Sequence, residues 1–250
     1  MTSISQPIIM GILNVTPDSF SDGGKYLQSK DAIKQVEKLI DSGANIIDIG
    51  GESTRPGAVL ISEEEELKRV IPVIYEIRKI FPDILISIDT YKSNVAQLAV
   101  NAGINMINDV SGLTMDPHMG KVAASANCPI VIMHNTGIPA TKPPEDELES
   151  WRTGKMINEI CKWLKKQINY AIKNGIKKEN IIIDPGIGFG KSAREDLILI
   201  KNLKEFKSLD CPMLVGVSRK SFMKKLFSED KTKEMTELAI KNGADIVRVH

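Results

Sequence analysis

The sequence is poor in three features that mark specialised classes of protein: cysteine, net charge and long apolar runs. Its three cysteines are Cys128, Cys161 and Cys211, an odd number without the spacing of a metal site. Such a set is typical of a reduced protein rather than of one built on disulfides. Cys128 and Cys211 each precede a proline and an apolar segment. We interpret both as packing residues, because free cysteine behaves as a small hydrophobe.

Charge and hydropathy exclude further classes of function. Lysine and arginine number 33 against 32 aspartates and glutamates, and the two signs are mixed along the chain, so no basic stripe points to nucleic acid. No apolar run approaches the roughly 20 residues of a membrane span. No basic region precedes the apolar N-terminal stretch, which argues against a secretory signal. We therefore expect a cytoplasmic protein that acts on small molecules and has no nucleic-acid or membrane partner.

What the chain does contain is a repeated alternation of short apolar segments with helical ones. The apolar segments are rich in Ile and Val, as in parallel strands that are buried on both faces. Eight strands with helices between them are more than a small doubly wound sheet needs. We therefore predict an α/β fold of the (β/α)8 TIM-barrel type, formed by residues 1–250 as a single domain. The predicted strands are Ile8–Asn14, Asn45–Gly51, Ile84–Asp89, Ile104–Asp109, Pro129–Met133, Ile181–Asp184, Met213–Val217 and Asp245–Val249.

A weak internal repeat indicates where the barrel carries its chemistry. The segments GANIIDIGG, GINMINDVS and GADIVRVH each begin with a glycine and carry a polar residue five positions later: Asp48, Asn108 and Arg248. Asp89 and Asp184 likewise end apolar strands. Any one of them is explained by a turn, which Asp and Asn commonly begin. Five in register on separate strands indicate an active site at the C-terminal end of the barrel.

Five polar segments follow strands at this same end. NVTPDSFSDGG at 14–24 is too long for a minimal connection and is typical of a mobile binding loop. The glycines, hydroxyls and arginine of GGESTRPG at 50–57 suit an anionic ligand. DPGIGFGK at 184–191 is glycine-rich with one aromatic residue. GVSRKS at 216–221 and RVH at 248–250 bring basic residues to the ends of strands 7 and 8, where barrels often bind phosphate.

Together the strand ends predict a ligand with two unlike halves. An anionic half suits the end of strand 1 and the basic end of strand 8. A planar half with paired N–H donors suits Asp89, Asn108 and Asp184, because carboxylates accept such donors in bidentate fashion. A pterin that carries a pyrophosphate satisfies both halves, since its 2-amino group and ring N–H form the donor edge.

These five segments, in this order, resemble the signature loops of the dihydropteroate synthase family. The resemblance runs from about Ile8 to His250, and NVTPDSFSDGG and ESTRPG are long and specific. Membership would imply a pterin-binding barrel that condenses 6-hydroxymethyl-7,8-dihydropterin pyrophosphate with p-aminobenzoate and releases pyrophosphate. It would also imply Mg²⁺ as cofactor, a homodimer and a target for sulfonamides.

The resemblance assigns the pterin ring to five side chains. Asp89, Asn108 and Asp184 resemble the residues that read the pterin edge. Lys220 resembles the lysine that reaches the pterin carbonyl. Arg248 resembles the arginine that stacks on the ring and also meets the phosphate.

The pyrophosphate and the metal are assigned by the same resemblance. Asn14 resembles the ligand of Mg²⁺ and pyrophosphate, and His250 resembles a pyrophosphate contact. Asp22 and Phe20 match positions in the first mobile loop.

The p-aminobenzoate side is assigned in the same way. Thr54, Arg55 and Ser221 match loop positions near the phosphates and p-aminobenzoate, and Phe189 is similar to an aromatic residue beside the p-aminobenzoate pocket. No role is expected for His134 or His118. The residues to which the resemblance gives a catalytic role are Asp22, Arg55, Lys220 and Arg248.

The chain departs from the family pattern in two places. The segment between Lys220 and Gly243 looks shorter than usual, and the chain stops at His250, where the family continues into a last helix. We therefore expect a trimmed seventh helix or a missing C-terminal helix.

Two other functions remain open on the same barrel. One is a methyltetrahydrofolate-binding methyltransferase linked to a corrinoid, which shares the pterin-binding barrel and polar strand-end residues like Asp89 and Asn108. The residues predicted to face phosphate argue against it, because a methyl donor has no pyrophosphate. The other is a non-catalytic pterin-binding protein, against which the intact loops argue.

Overall fold

The computed structural model describes residues 7–16, 24–54, 57–139 and 150–250, with residues 24–29 and 150–153 described by their backbone only. Eight strands are present in these ranges, and each predicted strand is confirmed to within two residues at either end. The bounds are β1 Ile8–Asn14, β2 Ile46–Gly50, β3 Leu85–Asp89, β4 Met106–Asp109, β5 Ile130–Met133, β6 Ile181–Asp184, β7 Leu214–Gly216 and β8 Ile246–Val249.

The strands form one parallel sheet that curls into a barrel. Their order is β6-β5-β4-β3-β2-β1-β8-β7, so β1 lies between β2 and β8. A parallel bridge between Ile183 and Met213 brings the two ends of the sheet together. The predicted (β/α)8 barrel is therefore confirmed.

Helices follow the strands and cover the outside of the barrel. Among the described residues, none of them is both long enough and apolar enough to span a membrane. Short 3-10 helices at Lys178–Asn180 and Leu203–Leu209 complete the outer layer. The α-helices are α1 Gly24–Asp41, α2 Glu63–Ile80, α3 Ser93–Asn101, α4 Met119–Ala126, α5 Ser150–Lys173, α6 Ala193–Lys201, α7 Ser221–Phe227 and α8 Thr232–Lys241.

The connection between β7 and β8 holds two helices rather than one trimmed helix. The first, α7, has only 7 residues and ends where Ser228 adopts a left-handed conformation with φ of 59°. The second, α8, has 10 residues and buries Met235 and Ala239. That this connection is trimmed relative to the family stays a prediction. Within these 250 residues the fold ends with β8.

The barrel has an outer and an inner apolar core. The outer core lies between the sheet and the helices, where α2 buries Val70, Ile74 and Ile77. The inner core is a layer inside the barrel to which seven strands each contribute one residue. Its members are Met10, Ile46, Met106, Val131, Ile182, Leu214 and Ile246.

Polar residues stand directly above this inner layer. Because side chains alternate along a strand, a residue two positions further on points to the same face. The residues two positions after Ile46, Met106, Ile182 and Ile246 are polar or charged, and they belong to alternate strands of the barrel. They are Asp48, Asn108, Asp184 and Arg248.

Candidate active site

Four of the five polar residues predicted in register are joined by direct contacts at the C-terminal end of the barrel. Arg248 donates from Nε to Asp48 Oδ2 over 2.6 Å and from Nη2 to Asp89 Oδ2 over 2.7 Å. Asn108 donates from Nδ2 to the same Asp48 oxygen over 3.0 Å. Asp48 is completely buried, and a buried charge needs a partner of opposite charge. Arg248 provides that partner within the barrel. We call Asp48, Asp89, Asn108 and Arg248 the acid–arginine cluster.

Strand pairing places this cluster. Gly50 is the Cα partner of Asp89, and Asp89 is the partner of Asn108, so the ends of β2, β3 and β4 lie at one level. Arg248 on β8 is level with Gly216 of β7. A parallel sheet brings the carboxyl ends of its strands to one edge, and closure of the barrel makes that edge a ring.

Burial tunes the charges of the cluster. Burial raises the pKa of Asp89 to about 7, although Arg248 acts in the opposite direction. Burial works to lower the pKa of Arg248, but the attraction of Asp48 and Asp89 outweighs it and the pKa is raised. Arg248 is therefore a permanent cation, whereas Asp89 titrates near neutral pH. Titratable groups with shifts of this kind are common in active sites.

Asp184, the fifth residue, begins the glycine-rich loop. Its Oδ1 accepts the backbone N–H of Gly186 over 2.7 Å, and burial raises its pKa. Gly186 has φ of 75°, and a Cβ there would overlap the carbonyl oxygen of His134, so only glycine fits. The 184–191 loop is thereby pressed onto the end of β5.

Two buried residues that the sequence did not single out hold this loop in shape. Lys191 donates from Nζ to the carbonyl oxygens of Gly186 and Phe189 over 2.8 and 3.3 Å. Asp196, on α6, accepts the backbone N–H of Gly188 over 2.7 Å. Burial lowers the pKa of Lys191 to about 8, and Asp196 favours its charged form. The lysine that ends the GFGK segment was the available signal, because a lysine beside a glycine-rich loop can satisfy the loop carbonyls.

Phe189 and Lys220 are brought together by this loop. Lys220 Nζ lies 4.5 Å from the centroid of the Phe189 ring, within the range of a cation–π contact. Burial and the nearby Arg248 lower the pKa of Lys220 to about 8, against the attraction of Asp184. Ser221 is the next residue along the chain and is exposed at the start of α7.

His250 and Asn14 lie at the ends of neighbouring strands. The backbone N–H of His250 donates to Ser218 Oγ over 3.3 Å, and its ring Nδ1 lies 3.1 Å from the same oxygen. A Cβ built on Gly50 would lie 3.8 Å from both Asn14 Oδ1 and Asp89 Oδ2, so these two oxygens border the same gap. That Asn14, Arg248 and His250 together contact an anion stays a prediction.

The side-chain oxygen of Asn14 is of the kind that Mg²⁺ prefers as a ligand. In the part of the chain that the structure describes, no group of three His, Cys, Asp or Glu side chains could hold a metal ion. Mg²⁺ prefers oxygen ligands, keeps several waters and is commonly bound through few protein oxygens together with substrate phosphates. A single amide oxygen at the rim of the site suits such a metal.

Three residues assigned by the resemblance, Asp22, Phe20 and Arg55, lie outside the described residues. Thr54 is described and half-buried.

The two histidines to which no role was assigned, His134 and His118, lie in different surroundings. His134 packs edge-on against Trp163, with 5.0 Å between ring centroids, and burial lowers its pKa to about 3. It is therefore a neutral interior residue at physiological pH. His118 is exposed just before α4.

A family model, curated sequences and solved structures all match this chain, and all of them concern pterin-binding enzymes or dihydropteroate synthases. A family model described as "Pterin binding enzyme" matches residues 10–250. The dihydropteroate synthase of Clostridium beijerinckii is 47% identical over 249 residues, which cover 97% of this chain and 88% of that protein. A solved dihydropteroate synthase from Anaplasma phagocytophilum with bound 6-hydroxymethylpterin-monophosphate has a TM-score of 0.89 and 40% identity, covering 97% of this chain and 93% of that one. One from Xanthomonas albilineans with 4-aminobenzoic acid has a TM-score of 0.87 and 38% identity, covering 98% and 88%.

Proposed function

The chain belongs to the pterin-binding enzyme family, and within it to the dihydropteroate synthases, and from this premise we propose how its strand-end residues perform the reaction. The reaction joins 6-hydroxymethyl-7,8-dihydropterin pyrophosphate to p-aminobenzoate and gives 7,8-dihydropteroate and pyrophosphate. The observation that carries the proposal is the acid–arginine cluster beside Asp184 and Lys220, inside the rim of the barrel. The Anaplasma relative with a bound pterin phosphate and the Xanthomonas relative with 4-aminobenzoic acid support both substrates.

The atoms that can recognise a pterin are those that do not already take part in hydrogen bonds within the protein. The Nδ2 of Asn108 is committed to Asp48, so its carbonyl oxygen remains to accept a ligand N–H. One oxygen of Asp184 is committed to Gly186, which leaves the other for the ligand. In the same way Arg248 occupies one oxygen of Asp89. The site therefore offers acceptors to a ligand edge made of donors, as the 2-amino group and ring N–H of a pterin are.

Lys220 and Arg248 provide the complementary charges. A lysine ammonium suits the pterin carbonyl oxygen, and a guanidinium that two acids hold in place can stack on the ring. Both cations would also stabilise the negative charge that moves onto the departing pyrophosphate, which is electrostatic stabilisation of a leaving group.

The chemical step is substitution at the methylene carbon next to the pterin ring. The bond from this carbon to the pyrophosphate oxygen breaks, and the electron pair leaves with pyrophosphate. The arylamine nitrogen of p-aminobenzoate forms the new bond and loses a proton. Arg248 and His250 would hold the pyrophosphate, and the rim loops would align the amine and exclude water. No protein nucleophile is required.

We also propose Mg²⁺ as the cofactor, with Asn14 as the protein residue that would hold it. When bound, Mg²⁺ supplies charge stabilisation at the phosphate oxygens. A homodimer in the cytoplasm and competition by sulfonamides, which are arylamines like p-aminobenzoate, complete the proposal and rest on the family resemblance. Light scattering would measure the oligomeric state, and a single scattering mass of one chain would contradict the dimer.

One assay tests the function directly. Pyrophosphate release should require the pterin pyrophosphate, p-aminobenzoate and Mg²⁺ together. A methyltransferase would release no pyrophosphate from this mixture. A non-catalytic binding protein would bind the pterin in calorimetry without turnover. Either outcome would overturn the proposal.

A further inference from the structure

A second buried ionic group lies at the rim of the barrel, apart from the acid–arginine cluster. Lys92 Nζ stands between two carboxylates, 3.1 Å from Glu52 Oε2 and 2.6 Å from Glu66 Oε2. The side chains of Glu52 and Glu66 are only 4% and 1% exposed, and that of Lys92 is 14% exposed. We call these three residues the rim triad. Nothing in the proposed chemistry uses them.

The rim triad joins three different elements. Glu52 lies two residues after β2, Lys92 lies three residues after β3, and Glu66 lies in the first turn of α2. Lys92 is therefore close in sequence to Asp89, the pterin reader that ends β3. Glu52 begins the connection that carries Thr54 at the rim of the site.

Glu52 also forms a hydrogen bond with the other end of that connection, at Ile61. Its Oε1 accepts the backbone N–H of Ile61, so residues 52 and 61 form the two ends of a closed loop. Arg69 of α2 donates from Nη1 to the carbonyl oxygen of Gly51 over 2.9 Å and fixes the residue just before it. The shape of the 52–61 loop at its base thus depends on where the Glu52 carboxylate is held.

The Glu52 carboxylate has few alternatives to Lys92. The Tyr91 hydroxyl hydrogen-bonds Glu52, and burial together with this bond raises the pKa of Tyr91. The remaining near charge is Glu66, which repels Glu52, and burial raises the pKa of Glu66. Without Lys92, two buried carboxylates would face each other with no cation between them, which is unfavourable. Glu52 would then turn away and release Ile61.

We propose that Lys92 is a positioning residue that acts through Glu52 to hold the described ends of this connection, residues 52–54 and 57–61, in place for the amine substrate. The proposal rests on the proposed function, because it concerns the p-aminobenzoate side of that same site. The pterin readers stand on strands of the barrel, where Asp89 and Asn108 are held by Arg248 and Asp48 rather than by hydrogen bonds to the rim triad. Loss of Lys92 therefore acts on one substrate and spares the other.

The first test is Lys92→Met, which keeps the length of the side chain and removes its charge. The KM for p-aminobenzoate should rise ~10-fold or more, the scale of one lost hydrogen bond to a charged group. The Kd of the pterin pyrophosphate, measured by calorimetry, should stay within about twofold. Lys178→Met is the matched control. Lys178 lies just before β6, at the opposite end of the barrel, and contacts Leu209 and Cys211 there. It should leave both values unchanged.

Rescue separates positioning from a general loss of stability. In Lys92→Met/Glu52→Gln, the amide of residue 52 can accept from Ile61 and donate to Glu66, so the KM for p-aminobenzoate should return most of the way to that of the wild type. If Lys92→Met does not fold, Ile61→Pro removes the N–H donor to Glu52 while the rim triad stays intact. Leu60→Pro controls for the stiffening that proline itself causes. Ile61→Pro should raise the KM for p-aminobenzoate more than Leu60→Pro does.

The proposal is overturned if folded Lys92→Met keeps the wild-type KM for p-aminobenzoate, or if its pterin affinity falls equally. It is also overturned if Glu52→Gln does not lower the raised KM of Lys92→Met, or if Ile61→Pro matches its control. Failure of the proposed function would show differently, as an absence of pyrophosphate release by the wild-type protein.

Discussion

Asn108 donates its side-chain amide to Asp48 over 3.0 Å, and this bond decides which end of the amide remains for a ligand. The same Asp48 oxygen accepts Arg248 Nε, so one fully buried carboxylate orients two side chains that are proposed to bind the pterin. Neither orientation follows from the identity of Asn108 or Arg248 alone.

Asp48→Asn should weaken pterin binding although residue 48 need not touch the pterin. An amide at 48 can donate to Asn108, which then turns its NH₂ toward the donors of the ligand. We expect a loss of about 1.5–3 kcal/mol, the scale of a hydrogen bond to a charged group, measured by calorimetry with a pterin pyrophosphate. Ser87→Ala is the control, because Ser87 is buried at the same level of the barrel as the strand partner of Asp48. Equal losses in the two variants would contradict the role of Asp48.

Asp184→Asn should abolish measurable pterin binding. The backbone N–H of Gly186 occupies one oxygen of residue 184. In the variant the amide oxygen would keep that bond, and the NH₂ group would face the donor edge of the ligand. Calorimetry that returned wild-type affinity for a pterin pyrophosphate would show that Asp184 does not read the pterin edge.

His250→Ala and Arg248→Ala should separate anion recognition from ring recognition. His250→Ala should weaken pyrophosphate binding by ~1–3 kcal/mol and leave the affinity for a pterin without phosphate nearly unchanged. Arg248→Ala should damage both affinities. It should also lower the melting temperature, because it leaves the buried Asp48 without its cation. If His250→Ala weakened both ligands equally, His250 would support the fold through Ser218 rather than bind the anion.

The pH dependence of kcat/KM for the pterin substrate should be bell-shaped. The pKa of Asp89 is raised to about 7, so its carboxylate is lost as the pH falls below that value. The pKa of Lys220 is lowered to about 8, so its positive charge is lost as the pH rises above that value. Because kcat/KM reports groups of the free enzyme, activity should decline on both sides.

Lys220→Arg provides the check on the alkaline limb. A guanidinium stays charged, so in any active variant this limb should move to higher pH while the acidic limb stays in place. An unmoved alkaline limb would assign it to another group.

The sequence determined the fold because its signal is local. Nearly continuous apolar runs such as Ile181–Asp184 are informative without knowledge of their neighbours, and eight of them alternating with helices leave few other architectures. The same regularity predicted where the site lies. The side-chain period of two along a strand places Asp48 above Ile46 and Arg248 above Ile246, at the end of the barrel where active sites form. The glycine-rich loops, the residues expected to read the pterin edge and the family resemblance were all visible at this level.

Only the tertiary structure decided which of these residues touch one another. Asp48 and Arg248 are 200 positions apart and meet because β1 lies between β2 and β8 in the barrel. Lys191 had a signal in its place at the end of a glycine-rich segment, but its burial did not follow from that place. Asp196 and the rim triad were invisible in the sequence, since a charged residue lies mostly at the surface and its burial depends on what packs over it. The pKa values of Asp89 and Lys220 likewise depend on burial, which no local pattern encodes. The identity of each residue and the alternation of side chains along a strand are properties of the sequence. Which side chains touch and which are buried is decided only when the sheet closes into a barrel.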